Sequence, residues 1–400
     1  MKPAIRRLIL RGFRSVRDAT IEFDNPTLFV GRNGAGKSNL LDALAFLRDA
    51  MESTLGAVFD RRGGIGTVRN RSSFPGHPPN LGMAVEMAPA DPAVSRSRYA
   101  FEVAARENRS FEVVREQCVV DLADGTRHFF DRRRDGPLAT NVDGVRPAVS
   151  PDSLLLPLVA GDERFATVRR TLSGVRVHSI EPAKIRELQD PDVGSGLKRD
   201  GSNAAAVLME VERESPETMT RIAELLRTVE PGTVALKAHR LGNKLTIQFE
   251  QAFVAGGKPR RLKFDAYAMS DGTLRATGIL AAVYQRPTPV LAAFEEPEST
   301  LHPGALGAVI ELLRGAADDM QIVATTHSPD LLEADWIEAK HLRLVQWEDG
   351  STKVVRPAES VRAALQSHLM NVGELLRADA LQGEPLFEQP ETPELFEAVA

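Results

Sequence analysis

The chain has 400 residues, 42% of them apolar, and a net charge of −5. That length suffices for one large core or two smaller ones, and the mild acidity gives no global argument for a polyanionic partner, so a nucleic-acid surface would have to be a local patch. The single cysteine, Cys118, excludes an internal disulfide framework and a Cys-rich zinc site, which suits a reducing compartment. No apolar run approaches the about 18 residues needed to span a bilayer, and no signal-peptide pattern opens the sequence, so a cytoplasmic protein without a membrane partner is expected.

The first thirty or so residues read as three short strands, IRRLILRGF, ATIEF and TLFV, punctuated by Gly12, Asp24-Asn25-Pro26 and Gly31. From Lys37 the period changes, with Leu40, Leu41, Leu44 and Leu47 at helical spacing. Gly31-Arg32-Asn33-Gly34-Ala35-Gly36-Lys37-Ser38, between strand and helix, matches G-x-x-x-x-G-K-[ST]. Such a loop turns successive N–H groups onto a phosphate at the positive end of a helix. Lys37 would then meet the β- and γ-phosphates, and the Ser38 hydroxyl would meet magnesium.

The stretch RRGGIG (61 to 66) and the Pro-punctuated segment from Phe74 to Asn80 read as loops. Residues from about 81 to 130 read as β-rich, and from Asp152 to Val229 the pattern is mainly helical, without heptads sustained long enough for a coiled coil. Strands return at VALKAHR, KLTIQFE and PRRLKFDAY. A helix follows Ser270, then strand VLAAF, a helix after Pro303 and strand QIVAT, an alternation that marks a parallel sheet covered by helices. The end from Glu384 to Ala400 has five acidic residues and no basic one, and is expected to be a mobile tail.

Further residues extend the chemistry. Strand VLAAF ends in Glu295-Glu296-Pro297-Glu298, two adjacent carboxylates suited to a magnesium nucleotide and its attacking water. Met269-Ser270-Asp271-Gly272-Thr273 opens a helix with a hydroxyl and free N–H groups. His327 ends strand QIVAT, and His302 lies in Ser299-Thr300-Leu301-His302-Pro303. Arg14 sits in Gly12-Phe13-Arg14-Ser15.

In this order the motifs resemble the ABC-type P-loop ATPases of the RecF/SMC/OLD group, and most closely the stand-alone bacterial "predicted ATPases" in which a compact helical lobe replaces the coiled coil. The RGGI loop, Asp200-Gly201-Ser202-Asn203 and Gly373-Glu374-Leu375-Leu376 also have counterparts there. The resemblance implies an α/β ATPase head, a mixed or antiparallel β lobe plus a parallel-sheet core flanked by helices, with an inserted mainly helical lobe. The expected divisions are 1–150 (Walker A and β lobe), 151–229 (helical insertion), 230–383 (signature, Walker B, D-loop and switch histidine) and 384–400 (tail).

It further implies ATP and Mg2+ as cofactors. ATP would be bound by Gly31, Asn33, Gly34, Gly36, Lys37, Ser38, Asn39 and Arg14, and the metal by Ser38 and Glu295. Glu296 would be the general base, assisted by His327 and Lys37, and Glu295 replaces the family's usual Asp, which bears on turnover. Ser270 and Gly272 would form a signature acting in trans on nucleotide held by the other subunit of a homodimer. The Q-loop glutamine has no secure position, Gln117 being a poor candidate.

The expected function is an ATP-driven dimerising switch acting on DNA in repair or anti-phage defence, governing a nuclease or effector encoded nearby. No Asp-x-Asp cluster follows His327, so no nuclease is expected in that stretch. The alternative is an ATP-sensing dimerisation scaffold with little hydrolysis, and a transporter motor fits the SDGT signature poorly. Three basic clusters are candidates for DNA: Arg61, Arg62, Arg69 and Arg71; Arg127, Arg132, Arg133 and Arg134; Lys258, Arg260, Arg261 and Lys263.

Overall fold

The computed structural model describes residues 4–71, 80–88, 91–107, 110–144, 147–159, 161–192, 196–384 and 393–399. Most of the loop expected from Phe74 to Asn80, and Pro385 and Pro390 of the expected tail, lie outside these residues.

Strands β1 (Ala4–Phe13), β2 (Val16–Glu22) and β3 (Thr27–Val30) lead into helix α1 (Lys37–Glu52). Short helices α2 (Leu55–Asp60) and α3 (Ile65–Val68) flank the RGG turn. Strands β4 (Leu81–Ala88), β5 (Val94–Ala105), β6 (Phe111–Leu122), β7 (Arg127–Arg133) and β8 (Ala139–Thr140) follow as a meander. Next come α4 (Leu156–Val159), α5 (Glu163–Ser173), β9 (Val175–His178), α6 (Pro182–Arg186), α7 (Ala204–Glu214) and α8 (Pro216–Val229). Then β10 (Thr233–Leu241), β11 (Lys244–Ala255) and β12 (Lys258–Asp265) precede α9 (Asp271–Tyr284), β13 (Leu291–Glu295), α10 (Pro303–Ala316) and β14 (Gln321–Thr326). Strands β15 (Leu342–Glu348) and β16 (Ser351–Val355) and helices α11 (Glu359–Gln366) and α12 (Val372–Arg377) complete the set.

The chain divides into two compact units. The first comprises Met1–Val175, Ala339–Ser367 and Leu381–Ala400. Its antiparallel sheet runs β2-β1-β4-β5-β6-β7-β8, and α1 buries Leu40, Leu41, Leu44, Phe46 and Leu47, the residues whose spacing marked the helix. Phe46 sits among Phe13, Phe59 and Phe101 at centroid separations of 5.8, 5.4 and 6.3 Å, which seats the helix on the sheet. β3 pairs in parallel with β15, and β15 pairs antiparallel with β16.

The second unit comprises Arg176–Glu338 and His368–Ala380. β13 and β14 pair in parallel, both composed of buried residues to their last positions. β10, β11 and β12 make a separate antiparallel sheet. Helix α9 buries ten of its residues, including Leu274, Ile279 and Leu280.

Two expectations change. The helical stretch from 151 to 229 is not a lobe of its own: residues to Val175 belong to the first unit, the rest to the second, and strand β9 interrupts the helices. Nor are residues 393–399, within the expected tail, loose. Leu395, 3% exposed, packs on Ile9, Ala84 and Ala100, in space left by the missing side chain of Gly82, where a Cβ would come 2.3 Å from Leu395 Cδ1. Arg98 donates to the carbonyls of Glu394 and Leu395 at 2.5 and 3.0 Å. The Gln117 amide donates to Glu397 O at 2.9 Å and accepts from Glu397 N at 3.0 Å, and Arg115 lies over the Phe396 ring. Acidic composition suggested disorder, but the sheet face supplies the matching arginines. Gln117 is thereby spent on holding this segment.

Candidate nucleotide site

In the first unit the loop from Gly31 to Ser38 has the form that its glycines require. Gly36 caps α1 at φ 103°, and a Cβ there would sit 2.0 Å from Thr352 Oγ1. A Cβ on Gly31 would meet the Val345 carbonyl at 2.2 Å, so strand β15 presses on the loop from behind. Thr352 Oγ1 lies 2.7 Å from Ser15 Oγ and donates to Ala35 O at 2.9 Å, while Asn39 Nδ2 donates to Ser15 Oγ at 2.5 Å. The back of the loop is thus tied to β1–β2 and β16. Its front is open: the backbone N–H groups of Asn33, Gly34, Gly36 and Ser38 have no protein acceptor among the described residues.

Lys37 is 6% exposed, and its ammonium donates to Gly31 O at 2.7 Å and Arg32 O at 3.1 Å. An unpaired row of donors beside a buried ammonium is a fit for a polyphosphate. Ser38 is exposed at the first turn of α1. Asn39 faces Ser15 and so supports the loop from behind. Arg14, at φ 47°, donates through Nε to Asp42 at 2.6 Å; Asp42 also takes Arg62, which reaches Asp49 at 2.8 Å. Sequence reading placed Arg14 and Ser15 in Gly12-Phe13-Arg14-Ser15 but missed this partly buried ion cluster and Thr352, because Asp42, Asp49 and Thr352 lie in no motif.

In the second unit β13 ends on Glu295, and the chain turns at Glu296 with φ 43°, an uncommon conformation for a side-chain-bearing residue. The Glu296 N–H is held by the carbonyl and hydroxyl of Thr325, at 3.2 and 3.1 Å. Glu296 Oε1 lies 3.0 Å from His327 Nδ1. Thr326 donates to Glu298 Oε1 at 2.6 Å, whereas Glu298 Oε2 is buried without a partner, and burial pushes the Glu298 carboxyl above the usual carboxylate range. Glu295 takes Arg199 at 3.3 Å.

Ser270 is the N-cap of α9, accepting from Thr273 N at 3.1 Å, yet its residue remains exposed. Arg186 donates to Met269 O and to Asp271 Oδ1, fixing the approach to the helix. A Cβ on Gly272 would come 3.0 Å from Thr300 O, and Arg275 donates to Thr300 Oγ1 at 3.2 Å, so the signature helix abuts the turn after Glu298. His302 serves as the N-cap of α10, its Nδ1 accepting from Gly304 N at 3.1 Å, which accounts for that histidine structurally.

The family model described as "AAA domain, putative AbiEii toxin, Type IV TA system" matches residues 27–333. The chain belongs to this family. It has the ABC-type P-loop ATPase fold of the SMC/RecF type. The head domain of Smc from Pyrococcus furiosus, with an extended coiled coil and bound to the C-terminal domain of ScpA, superposes with a TM-score of 0.54 at 16% identity, covering 92% of this chain and 99% of that one. An Smc head bound to the C-winged helix domain of ScpA superposes with a TM-score of 0.53 at 17% identity, covering 89% and 99%. No curated protein matches the chain. Of the residues expected at a nucleotide site, Gly31 to Ser38 lie in the first unit and Ser270, Gly272, Glu295, Glu296 and His327 in the second. No helix among the described residues is long and apolar enough to cross a membrane.

Proposed function

We propose that the chain is an ATP-binding and hydrolysing switch that dimerises through its heads and acts on DNA in repair or anti-phage defence, controlling a separately encoded effector such as a nuclease. The observation that carries the catalytic part is the Glu296–His327 contact of 3.0 Å at a strand end. A carboxylate held by a histidine and by a strained backbone is fixed in direction before substrate arrives, which is what activating a water molecule needs. In this reading Gly31, Asn33, Gly34, Gly36, Lys37 and Ser38 hold the phosphates, Ser38 and Glu295 serve the magnesium ion, and Arg14 and Asn39 act through the loop's rear support. Mg2+ supplies charge neutralisation on the β- and γ-phosphates.

Ser270, an exposed residue at the start of α9 whose hydroxyl also lies 2.7 Å from Thr273 Oγ1, supports a trans role for the signature, and Gly272 permits the close turn beside it. The slow-turnover reading has its own support in Arg199, which engages Glu295 at 3.3 Å and competes with a cation for that carboxylate. Phosphate release by purified protein, with Lys37→Ala and Glu296→Gln as comparators, tests the assignment. Turnover that both variants retain at the parental rate overturns it; turnover absent from the parent but restored by Arg199→Ala supports the slow-turnover reading.

A further inference from the structure

The three basic clusters that the sequence offers are not equivalent once folded. In the first, Arg62 is committed to Asp42 and Asp49, Arg61 and Arg71 donate to the carbonyls of Ala57 and Gly66, and Arg69, the C-cap of α3, is half-buried without an ion pair among the described residues. In the second, Arg127 pairs with Asp121, Arg133 with Asp131, and Arg134 with Glu112 and Asp135, while Arg132 donates to Ser150 O and Ser153 O. In the third, Arg261 takes Glu250 at 2.8 Å, whereas Lys258, Arg260 and Lys263 have no ion pair among the described residues.

The third cluster also has a shape. Strands β11 and β12 form a hairpin whose register sets Ala255 opposite Lys258, Phe253 opposite Arg260 and Gln251 opposite Leu262 on one face. Val254 opposite Pro259, Ala252 opposite Arg261 and Glu250 opposite Lys263 share the other face. Gly256 and Gly257, at φ 58° and 73°, close it with a two-residue turn and keep the ribbon narrow. β12 is exposed from Lys258 to Lys263 and is an edge of its sheet. Charged side chains guard an edge against strand pairing, but exposed apolar ones beside them do not. β12 carries four cations in six residues, beside Phe253, Val254 and Leu262 that are 42%, 74% and 50% exposed.

We propose that the β11–β12 hairpin is a DNA-contacting ribbon that enters the major groove of a duplex, with Lys258, Arg260 and Lys263 on phosphates and Phe253 against sugar or base edges. This rests on the reading that the protein acts on DNA. A two-stranded ribbon fits the B-form major groove, whereas the A-form groove of duplex RNA is too narrow for it. A bilayer is the other polyanionic surface, but the tip is Gly256-Gly257 and carries no aromatic residue to insert.

The experiment measures binding of the full chain to a labelled DNA duplex across a salt series, for the parent, for the triple variant Lys258→Gln/Arg260→Gln/Lys263→Gln, and for Arg127→Gln/Arg133→Gln/Arg134→Gln as a comparison. Three lost phosphate contacts lower the slope of log affinity against log salt by about 2.7, so the parent's affinity loss between about 50 and about 200 mM salt shrinks by about fortyfold in the hairpin variant. The comparison variant keeps the parental slope, and melting curves recorded for all three proteins show that each is folded, the comparison variant having lost its pairs to Asp121, Asp131, Glu112 and Asp135. A parent that binds duplex while the hairpin variant matches it in slope and affinity overturns the ribbon and leaves the DNA reading standing. A parent that binds no duplex at any salt overturns both. Equal loss on duplex and on single strands overturns the groove assignment, and loss confined to anionic phosphatidylserine vesicles assigns the hairpin to a membrane.

Discussion

Glu296 Oε1 and His327 Nδ1 lie 3.0 Å apart at the ends of neighbouring parallel strands, and the register of those strands sets the spacing. Glu295 pairs with Thr325, so the residues that follow each strand emerge side by side. Because the contact joins two adjacent strand ends and not two loops, it is held by the sheet itself.

The first prediction follows from that contact. His327→Ala removes the partner of Glu296 without touching the loop at Gly31–Ser38, so nucleotide affinity should stay within about twofold while turnover falls by about 10²-fold, the range for losing a group that assists acid–base chemistry. Equilibrium binding of labelled ATP and single-turnover phosphate release read the two quantities separately. A proportional fall in both would make His327 a ligand for ground-state nucleotide.

The second concerns the rear of the loop. Gly36→Ala combines a φ of 103° with a Cβ 2.0 Å from Thr352 Oγ1, so it should unseat the loop and abolish nucleotide binding. Adding Thr352→Ala clears the hydroxyl but leaves the backbone strain, and should recover melting temperature more than it recovers binding. Thr352→Val alone should cost about 1 kcal/mol, the usual net value of a hydrogen bond, and loosen the loop detectably in amide exchange at Ala35. Full recovery of binding in the double variant would show that the clash alone, and not φ, carries the effect.

How far the sequence foretold these contacts depends on how local they are. The loop, the strand ending in Glu295, the N-cap Ser270 and His327 each announce themselves within eight residues, because a phosphate loop, a buried strand and a helix cap are short-range patterns. Thr352 and Ser15, 337 residues apart, meet only in the folded chain, so the motif that holds Ser15 gives no sign of its partner. The same holds for Arg199 at Glu295, separated by 96 residues. The terminal segment misled for a different reason: its acidity says nothing of the arginines on β5 and β6 that receive it. The helical pattern read from Asp152 to Val229 takes in α7 and α8 but shows neither strand β9 nor the division between units, which depends on which sheet each helix covers.

The third prediction is a pH dependence at Glu298. Burial raises its carboxyl, and Oε2 has no partner, so the folded protein favours the protonated form. With the folded pKa above the unfolded one, the stabilising contribution is complete below the ordinary carboxylate range and is lost as pH rises through the folded value. Glu298→Gln keeps an acceptor for Thr326 and cannot ionise, so its stability relative to the parent should improve as pH rises through the parent's folded value. Denaturant midpoints at each pH measure it, and a difference that is flat or shrinks with pH would place an unseen cation beside that carboxylate.

The fourth addresses the docked end of the chain. Leu395→Ala empties the site over Gly82 and should cost about 2 kcal/mol, at the low end for a buried leucine because the segment can settle. Gly82→Val should instead expel the leucine and release the segment. Proteolysis near Glu394 should quicken in both variants, and arginines 96 and 98 should become more accessible to dicarbonyl labelling. Unchanged cleavage in Gly82→Val would mean that the arginine and glutamine contacts hold the segment unaided.

The last prediction tests sharing of the site between two copies. Ser270 caps its own helix, so Ser270→Arg carries a stability cost of about 1 kcal/mol in addition to any effect in trans, and its melting curve must be recorded first. If the Ser270 hydroxyl meets the γ-phosphate of nucleotide held by the partner, Ser270→Arg blocks closure while each monomer still binds ATP through Gly31–Ser38. Lys37→Ala has the complementary defect. A mixed dimer then contains one composite site with both defects and one with neither. Mixing two inactive proteins should restore turnover, up to a ceiling set by the fraction of mixed dimers. A site completed within one chain puts a defect in every site and yields nothing on mixing. Tag pull-down establishes that mixed dimers form, and ATP-dependent mass of Ser270→Arg alone establishes whether closure fails. No recovery with mixed dimers present, and normal closure of Ser270→Arg, would together remove the signature from the partner's nucleotide.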